Sequence, residues 1–161
     1  MKYFFTLCIT MLSTIAFAQS HNSTKAAALI NNLFDMMNKH DSIAVASFFA
    51  DSAHIESPNW EGVQTGKQAI ITIYSRYFKG TPDLHYTITY TTATDDAVVV
   101  EYTFAGTFSN PEGSSPAYMR DKKYDLKGCT RFNIHNNKIT TSVSYFDQVA
   151  FLRQVGFFDQ H

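Results

Sequence analysis

One carboxylate near the end of the chain is the residue best placed to do acid/base chemistry. Asp147 follows the alternating segment 138–146 and continues the phase of its apolar residues, of which Tyr145 is the last. This phase predicts that both side chains face the interior of the fold. Burial in an apolar pocket raises the pKa of a carboxyl group, so that it can exchange a proton with a carbon next to a carbonyl group. A nearby phenol, from Tyr145 or Tyr102, can stabilise the enolate oxygen that this reaction produces.

The residues after Asp147 allow a second role for it. Helical spacing relates Val149, Leu152 and Val155, and Gly156 is a typical helix end. Asp is also among the residues preferred at a helix N-cap, because its carboxylate accepts hydrogen bonds from the first free amides. Asp147 is therefore either the acid/base group of a pocket or the cap of a short helix.

His54 and Glu56 form a second candidate pair. They share the polar side of a short strand predicted over 53–57, where they are either a base at the mouth of a pocket or an ordinary solvated face. The histidines His54, His85 and His135 lack the compact spacing of metal ligands, so we predict no metal site and no cofactor.

The first 18 residues are typical of an export signal. A positive start is followed by an apolar segment that is too short to span a bilayer, and Ala16-Phe17-Ala18 fits the small-x-small rule of signal peptidase. We therefore expect residues 1–18 to be removed, with an uncleaved membrane anchor as the alternative. Residues 19–161 then form one exported domain that has no membrane attachment and is either periplasmic or secreted.

The composition excludes several classes of function. A formal net charge of −1 gives no basic surface to attract nucleic acid or an anionic membrane. Since Cys8 leaves with the signal, Cys129 has no partner for an internal disulfide, and the core alone must hold the domain together. Lys127 and Arg131 share the phase of Cys129 and would lower its thiol pKa, although a spare thiol is the simpler interpretation.

The order of periodic segments predicts an α+β fold. Apolar residues at helical spacing predict helices over 24–39, 43–49 and 67–79, whereas alternation with period two covers most of the chain from Leu84 onward. We expect a cone-shaped, curved, mostly antiparallel β-sheet, with the three helices of the N-terminal half packed on one face and a short helix at the C-terminus.

The phase of the strands predicts which side chains lie under the helices. Apolar residues share this face with the phenols of Tyr86, Tyr90, Tyr102 and Tyr145. Because a buried phenol needs a partner or water, the face is better suited to a pocket than to a solid core. Trp60, in the loop 59–66, is either a lid for this pocket or an anchor for its own loop. The residues expected to bind a ligand are Trp60, Tyr74, Tyr86, Tyr102, Phe104 and Phe132.

Short segments along the whole mature chain occur in an order and spacing that a known family shares. They are Asp41, Asp51 to Pro58, Thr65 to Ile70, Pro82 to Leu84, Gly106-Thr107, Lys127-Gly128 with Phe132, Tyr145 to Asp147, and Leu152 to Gly156. Together they resemble the SnoaL-like polyketide cyclase family of the nuclear transport factor 2-like superfamily. The resemblance implies an interior pocket and a homodimer packed through the sheets. In cyclase members an Asp near the end of the last strand acts as acid/base, and Asp147 occupies the matching place.

Two functions are consistent with these observations. The first is an exported protein that binds a small apolar ligand in its cone and performs isomerase, cyclase or dehydratase-type chemistry through Asp147, with Tyr145 and His54 as further catalytic candidates. The second is a non-catalytic module for ligand binding or dimerisation. A closed aromatic cavity that reaches Asp147 would favour the enzyme. A filled pocket, with Asp147 bonded only to backbone amides, would favour the module.

Overall fold

The computed structural model describes residues 23–59, 62–110 and 116–159. The helices are α1, which covers the described residues 23–38, α2 (Ser42–Ser47), α3 (Lys67–Gly80) and α4 (Gln148–Gln154), with a 3-10 turn over Ala117–Met119. The strands are β1 (Phe49–Glu56), β2 (Gln64–Thr65), β3 (His85–Ala93), β4 (Ala97–Phe108), β5 (Lys122–His135) and β6 (Lys138–Phe146). The expected signal and Trp60 lie outside the described residues.

All six strands form one curved sheet in the order β2-β1-β6-β5-β4-β3. β1 runs parallel to β6, and every other pairing is antiparallel. The helices of the N-terminal half cover one face, so the predicted α+β architecture is confirmed. Within the described ranges, no helix is long and apolar enough to cross a membrane.

The helices begin and end where the local sequence favours it. Asp41 caps α2, and its Oδ1 accepts a hydrogen bond of 2.9 Å from the amide of Ala44. Gly66 precedes α3 with a φ of +89°, a left-handed value that other residues adopt only under strain. α3 then buries Ile70 and Ile73 toward the sheet. These features place the apolar stripe of α3 over the inner face of the strands.

Helix α1 is tied to the edge of the sheet by its own polar residue. The side chain of Asn38 donates to the carbonyl oxygen of Tyr86 at 2.9 Å and accepts from the Tyr86 amide at 2.8 Å. Next to it, Nε2 of His40 donates to the carbonyl oxygen of Leu84 at 2.7 Å. Such bonds satisfy backbone groups that an edge strand leaves open. They also fix the start of β3, and with it the position of the Tyr86 ring.

Two strand starts and one whole strand differ from the sequence predictions. β1 begins at Phe49, which was expected to end a helix, because that ring is fully buried against the sheet. β5 begins at Lys122 rather than near residue 126, since its charged start pairs with the end of β4 and shows no apolar alternation. The two-residue strand β2 pairs with His54 and Ile55 of β1 and was not predicted.

Two β-bulges reverse the predicted direction of two tyrosines. Thr89 is an extra residue in β3 and Thr140 an extra residue in β6, so the alternation slips by one beyond each of them. Tyr90 consequently lies opposite Glu101, and Tyr145 opposite Cys129, on the outer face of the sheet. Their side chains are 57% and 60% exposed. The prediction that Tyr90 and Tyr145 face the interior is therefore wrong.

Candidate functional site

A cavity of about 290 Å³ lies between α1, α3 and the inner face of the sheet. The residues of the sequence prediction that line it are Tyr74, Tyr86, Tyr102, Phe104 and Phe132. The regular alternation of β4, of β5 and of the part of β3 before Thr89, together with the helical spacing of α3, aims these side chains inward. Their part in ligand binding stays a prediction, whereas their common location in one hollow is a feature of the structure.

The aromatic wall is held in place by contacts between its own rings. The Phe34 ring meets Tyr102 edge-on, with centroids 5.2 Å apart, and the Tyr86 ring stacks on Phe104 at 6.0 Å. Edge-to-face and offset-stacked pairs at these separations are attractive beyond the area they bury. The rings are thus fixed before a ligand arrives, which reduces the ordering that binding requires.

A chain of three hydroxyl groups crosses this wall. Oη of Tyr102 lies 3.0 Å from Oγ1 of Thr130, which lies 2.9 Å from Oγ of Ser144. The three residues come from β4, β5 and β6, and all of them line the cavity. Three hydroxyls carry three protons, and the two internal bonds use two of them. When both bonds run in the same direction along the chain, the third proton is left at one end, on Tyr102 or on Ser144.

Gly128 is the residue that makes this chain possible. It lies opposite Tyr102 in the sheet, and a Cβ atom built on it would be 2.7 Å from Cε2 and Cζ of the Tyr102 ring. Real Cβ atoms do not approach other atoms so closely. The absence of a side chain therefore lets the Tyr102 ring lie across β5 and reach Thr130. The Lys127-Gly128 segment noted in the sequence has this steric role.

The buried phenols are neutral groups. Burial raises the pKa of Tyr102, Tyr86 and Tyr74 above the ordinary value, and it raises the pKa of Tyr77 to about 12. The cause is desolvation, which disfavours the phenolate. At neutral pH these groups can donate hydrogen bonds to a ligand, but they do not act as bases.

A second polar pair closes another part of the cavity. Oη of Tyr124 donates to Oγ1 of Thr81 at 3.0 Å. Gly106 lets the Thr81 segment pack on β4, because a Cβ there would collide with the Thr81 methyl group. Beside it, the backbone amide and the hydroxyl of Thr107 donate hydrogen bonds of 2.6 and 2.7 Å to the Asp83 carboxylate. The hydrogen bond from the amide is the main cause of the lowered pKa of Asp83.

Among the residues that the structure describes, the charged groups of the cavity lie at its rim. Among the described residues that line the cavity, the charged ones are Glu56 and Arg76, and both are exposed. The rim also carries Asn59, whose Nδ2 donates to Oη of Tyr77 at 3.0 Å. The interior is therefore an apolar, aromatic space with hydroxyl groups and no ionic side chain among its described residues.

Asp147 lies outside this space. Its side chain is exposed and does not line the cavity, and its Oδ1 accepts a hydrogen bond of 2.9 Å from the Ala150 amide at the N-cap of α4. The prediction that it faces the interior is wrong, because the bulge at Thr140 turns the phase of Tyr145 and Asp147 outward. The acid/base role itself stays a prediction, but the apolar surroundings on which it depended are absent.

The other candidate residues of the sequence lie apart from one another. His54 is exposed on β1, and its Nδ1 lies 3.0 Å from Oγ1 of Thr65 on β2. Tyr145 lies on the outer face, and none of Asp147, Tyr145 and His54 lines the cavity. Glu56, the proposed partner of His54, does lie at its rim. In the described part of the chain, no three His, Cys, Asp or Glu side chains cluster as metal ligands would.

Cys129 differs from its prediction in its electrostatics. It is half-buried on the outer face, and burial raises its pKa above the ordinary value, with a further contribution from the Glu101 carboxylate. Glu101 lies directly opposite it in the sheet, whereas Lys127 and Arg131 lie two residues away along β5. The expected lowering of the thiol pKa by those two cations is therefore wrong.

Three polar residues of the cavity were missed by sequence reasoning, Thr130, Ser142 and Ser144. Thr130 occupies the apolar phase of β5 between Gly128 and Phe132, and a polar residue in that phase was the available signal. Ser144 shows no such signal, because the bulge in β6 assigns it to the wrong face. Ser142 is displaced in the same way and also lines the cavity.

Comparisons with known proteins agree with this fold. The family model of the SnoaL-like polyketide cyclases matches residues 27–155. A protein of Jannaschia sp. CCS1, described as a candidate SnoaL-like polyketide cyclase, superposes with a TM-score of 0.74 at 18% identity, over 83% of this chain and 92% of its own. A candidate polyketide cyclase of Xanthomonas campestris pv. campestris gives 0.72 at 19% identity, over 83% and 98%.

A third structure has a different description. It is a protein of Catenulispora acidiphila DSM 44928 with a ketosteroid isomerase-like fold, in complex with trimethylamine, and it gives a TM-score of 0.67 at 17% identity, over 80% of this chain and 92% of its own. No curated protein matches the sequence. Identities at this level establish a shared fold and leave the activity open.

Proposed function

The chain belongs to the SnoaL-like polyketide cyclase family, and within it we propose that this member binds a small, neutral, mostly apolar molecule that carries a carbonyl or hydroxyl oxygen. The observation that carries the proposal is the hydroxyl chain of Tyr102, Thr130 and Ser144 in an aromatic cavity of about 290 Å³. The one proton left over by this chain suits a single acceptor oxygen on the ligand.

The charge of the ligand's buried part follows from the lining. An ion that enters an apolar cavity loses its hydration, and it needs a partner of opposite charge to offset that loss. The described lining offers such charges only at the rim, on Glu56 and Arg76. A neutral body is therefore the kind of molecule that the interior stabilises.

We further propose that the cavity binds its ligand without acid/base catalysis by Asp147. Removing a proton from carbon requires a base within hydrogen-bond reach of it, and the buried phenols are neutral donors. The hydroxyl chain can polarise a ligand carbonyl, but the carboxylate that would take the proton caps α4 instead. The alternative, turnover through Asp147, would require its side chain to enter the cavity.

A matched pair of ligands tests the proposal. 2-Acetylnaphthalene carries a carbonyl group, and 2-ethylnaphthalene has the same ring without it. We expect the ketone to bind more tightly. Loss of the hydroxyl at the donating end of the chain, by Tyr102→Phe or by Ser144→Ala, should reduce that preference by about five- to tenfold, the value of one hydrogen bond. Calorimetric titration measures both affinities.

The control is Tyr145→Phe, which removes a hydroxyl group from the outer face and should leave both affinities unchanged. If neither naphthalene binds, or if the two cavity variants weaken both ligands equally, the proposed recognition is wrong. Appearance of ketone turnover that Asp147→Asn abolishes would instead favour the catalytic alternative.

The outer face of the sheet suits a second copy of the chain. Tyr90 and Tyr145 are exposed there at the two ends of one row, with Glu101 and Cys129 between them. Aromatic side chains of this kind are enriched at interfaces. We propose a homodimer packed through this face, and light scattering should show a dimer that Tyr145→Asp dissociates. A monomer in the unaltered protein would contradict it.

Export of the chain is also a proposal, and it is supported by residues 1–18 of the sequence. We expect the mature protein to begin at Gln19. Mass determination of the protein recovered outside the cytoplasm measures the start directly, and recovery of the chain with its first residue intact in the membrane fraction would favour the anchor.

A further inference from the structure

Two phenols of the cavity wall lack a hydrogen-bond partner among the residues that the structure describes. They are Tyr74 on α3 and Tyr86 on β3, and both line the cavity. The phenols of Tyr102 and Tyr124 differ from them, because each is bonded to a threonine hydroxyl group. The cavity therefore contains phenols whose hydroxyl groups hold the fold together and phenols whose hydroxyl groups do not.

The hydroxyl groups of Tyr74 and Tyr86 open onto the cavity. Within the described ranges, every polar side-chain atom that is sealed inside the protein has a hydrogen-bond partner. Since these two hydroxyl groups have none there, they are not sealed, and the space that both residues line is the cavity. Burial raises the pKa of both phenols, so each keeps its proton at neutral pH. Each proton needs a ligand or water as its acceptor.

The packing of the two rings fixes where these protons lie. Asn38 holds the backbone of Tyr86, and the Tyr86 ring stacks on Phe104 with the centroids 6.0 Å apart. The Tyr74 ring packs on Phe78 at 5.9 Å. Turning either hydroxyl group out of the cavity would break these contacts. The two donors are thus in position before a ligand arrives, and binding does not have to order them.

The two phenols lie close to the hydroxyl chain. The rings of Tyr86 and Tyr102 have centroids 5.9 Å apart, and among neighbouring groups Tyr102 has the largest electrostatic effect on the pKa of Tyr74. The hydroxyl chain can donate one proton to a first ligand oxygen. The protons of Tyr74 and Tyr86 then remain for a second oxygen. Because the rings are neighbours, this second oxygen belongs to the same part of the ligand as the first.

We propose that the natural ligand carries two acceptor oxygens a few bonds apart, the first bound by the hydroxyl chain and the second by Tyr74 and Tyr86. A carbonyl oxygen suits the second position, because it has two lone pairs and brings no proton of its own. The ligand class is therefore a neutral diketone or keto ester with an apolar body. This inference rests on the proposed function, since it specifies the polar part of the molecule that the cavity binds.

Two rigid compounds that differ by one carbonyl group test the inference. 2,2-Dimethylindane-1,3-dione has two carbonyl groups, and 2,2-dimethylindan-1-one has a CH₂ group in place of one of them. Both are neutral, and the dione has no hydrogen between its carbonyl groups that could ionise. We expect a preference for the dione, which Tyr86→Phe and Tyr74→Phe should each reduce by about five- to tenfold, the value of one hydrogen bond. Calorimetric titration measures both affinities.

A stability measurement distinguishes these phenols from structural ones. Without ligand, Tyr86→Phe removes a hydroxyl group that makes no bond to the described residues, so the urea midpoint should stay the same or rise. Tyr124→Phe is the reference for this measurement, because it breaks the bond to Thr81 and should lower the midpoint. Tyr145→Phe, on the outer face, is the affinity control and should leave the preference for the dione unchanged.

The outcomes separate the two proposals. If neither compound binds, the proposed function fails and the inference fails with it. If the indanone binds but the dione is not preferred, or the preference survives in Tyr86→Phe and Tyr74→Phe, the two phenols bind only water and the inference alone is overturned. A midpoint that Tyr86→Phe lowers as much as Tyr124→Phe does would also overturn it. A lost preference with an unchanged or higher midpoint supports it.

Discussion

Tyr102 and Tyr145 lie on adjacent rows of the same sheet, but their hydroxyl groups occupy opposite environments. Tyr102 is 7% exposed and bonds to Thr130 inside the cavity, whereas Tyr145 is 60% exposed on the outer face. Tyr102 lies opposite Gly128, and Tyr145 lies opposite the next residue, Cys129. The same chemical group is thus part of the cavity wall in one place and of the outer surface in the other.

The difference between the two tyrosines comes from two single residues that act through the course of the backbone. Gly128 leaves room for the Tyr102 ring, and the extra residue Thr140 turns Tyr145 outward. Neither of these residues carries functional chemistry itself. The comparison shows that the site is specified as much by an absent side chain and an inserted residue as by the groups that would contact a ligand.

The largest expected effect comes from giving Gly128 a side chain. Gly128→Val would drive a branched group into the Tyr102 ring, and overpacking of this kind destabilises a fold by about 1–3 kcal/mol or more. We expect a lower free energy of unfolding in urea and loss of binding of the naphthyl ligands.

The adjacent outer-face residue gives the matched control. Cys129→Val changes volume at the next position of β5 and should alter stability by less than about 1 kcal/mol. When Tyr102 is already Ala, the further change Gly128→Ala should cost much less free energy of unfolding than it costs in the wild type, since the clash is then absent. If the double variant is no more stable than the sum of the single ones, the steric account of Gly128 is wrong.

Sequence reasoning succeeded where the alternation is unbroken. Tyr86 precedes the bulge of β3, and Tyr102 and Phe132 lie on strands whose inner phase runs straight through the cavity. It failed beyond the inserted residues, where Tyr90 and Tyr145 were given the wrong face. An extra residue in a strand has no compositional signature of its own, because a threonine is equally common in a regular strand.

A second comparison between the faces is available at high pH. The folded state raises the Tyr77 pKa to about 12, above the ordinary value of 10.0, so it holds that proton more tightly than the unfolded chain does. This stabilisation is fully present below pH 10 and is lost as the pH rises toward 12. We expect the free energy of unfolding of the wild type to fall in this window. In Tyr77→Phe the fall should be smaller by about 1–2 kcal/mol, a value that is reduced because the rim is partly solvated.

Urea unfolding at several alkaline pH values measures this effect. Tyr145→Phe, on the outer face, should follow the wild-type curve. A Tyr77→Phe curve that coincides with the wild type at every pH would show that burial does not hold the rim phenol in its neutral form.

A smaller effect distinguishes capping from catalysis at Asp147. Asp147→Ala should lower the free energy of unfolding by about 1 kcal/mol, because the bond to the Ala150 amide is lost. Asp147→Asn should retain most of the stability, and both variants should bind the ketone normally. Asp41→Ala, which removes the corresponding cap of α2, serves as the reference for size. A loss of ligand affinity in Asp147→Asn would connect this residue to the cavity after all.

The smallest expected effect concerns Cys129, at the centre of the outer row. Its thiol pKa is raised first by burial and then by the Glu101 carboxylate, so Glu101→Gln should increase the thiolate fraction and speed reaction with a disulfide reagent by roughly twofold at pH 8. If a second copy covers this face, the rate in both proteins should also fall as protein concentration rises. A rate that depends on Glu101 but not on concentration, in a protein that light scattering shows to be a monomer, would keep the electrostatic account and exclude the outer face as a dimer interface.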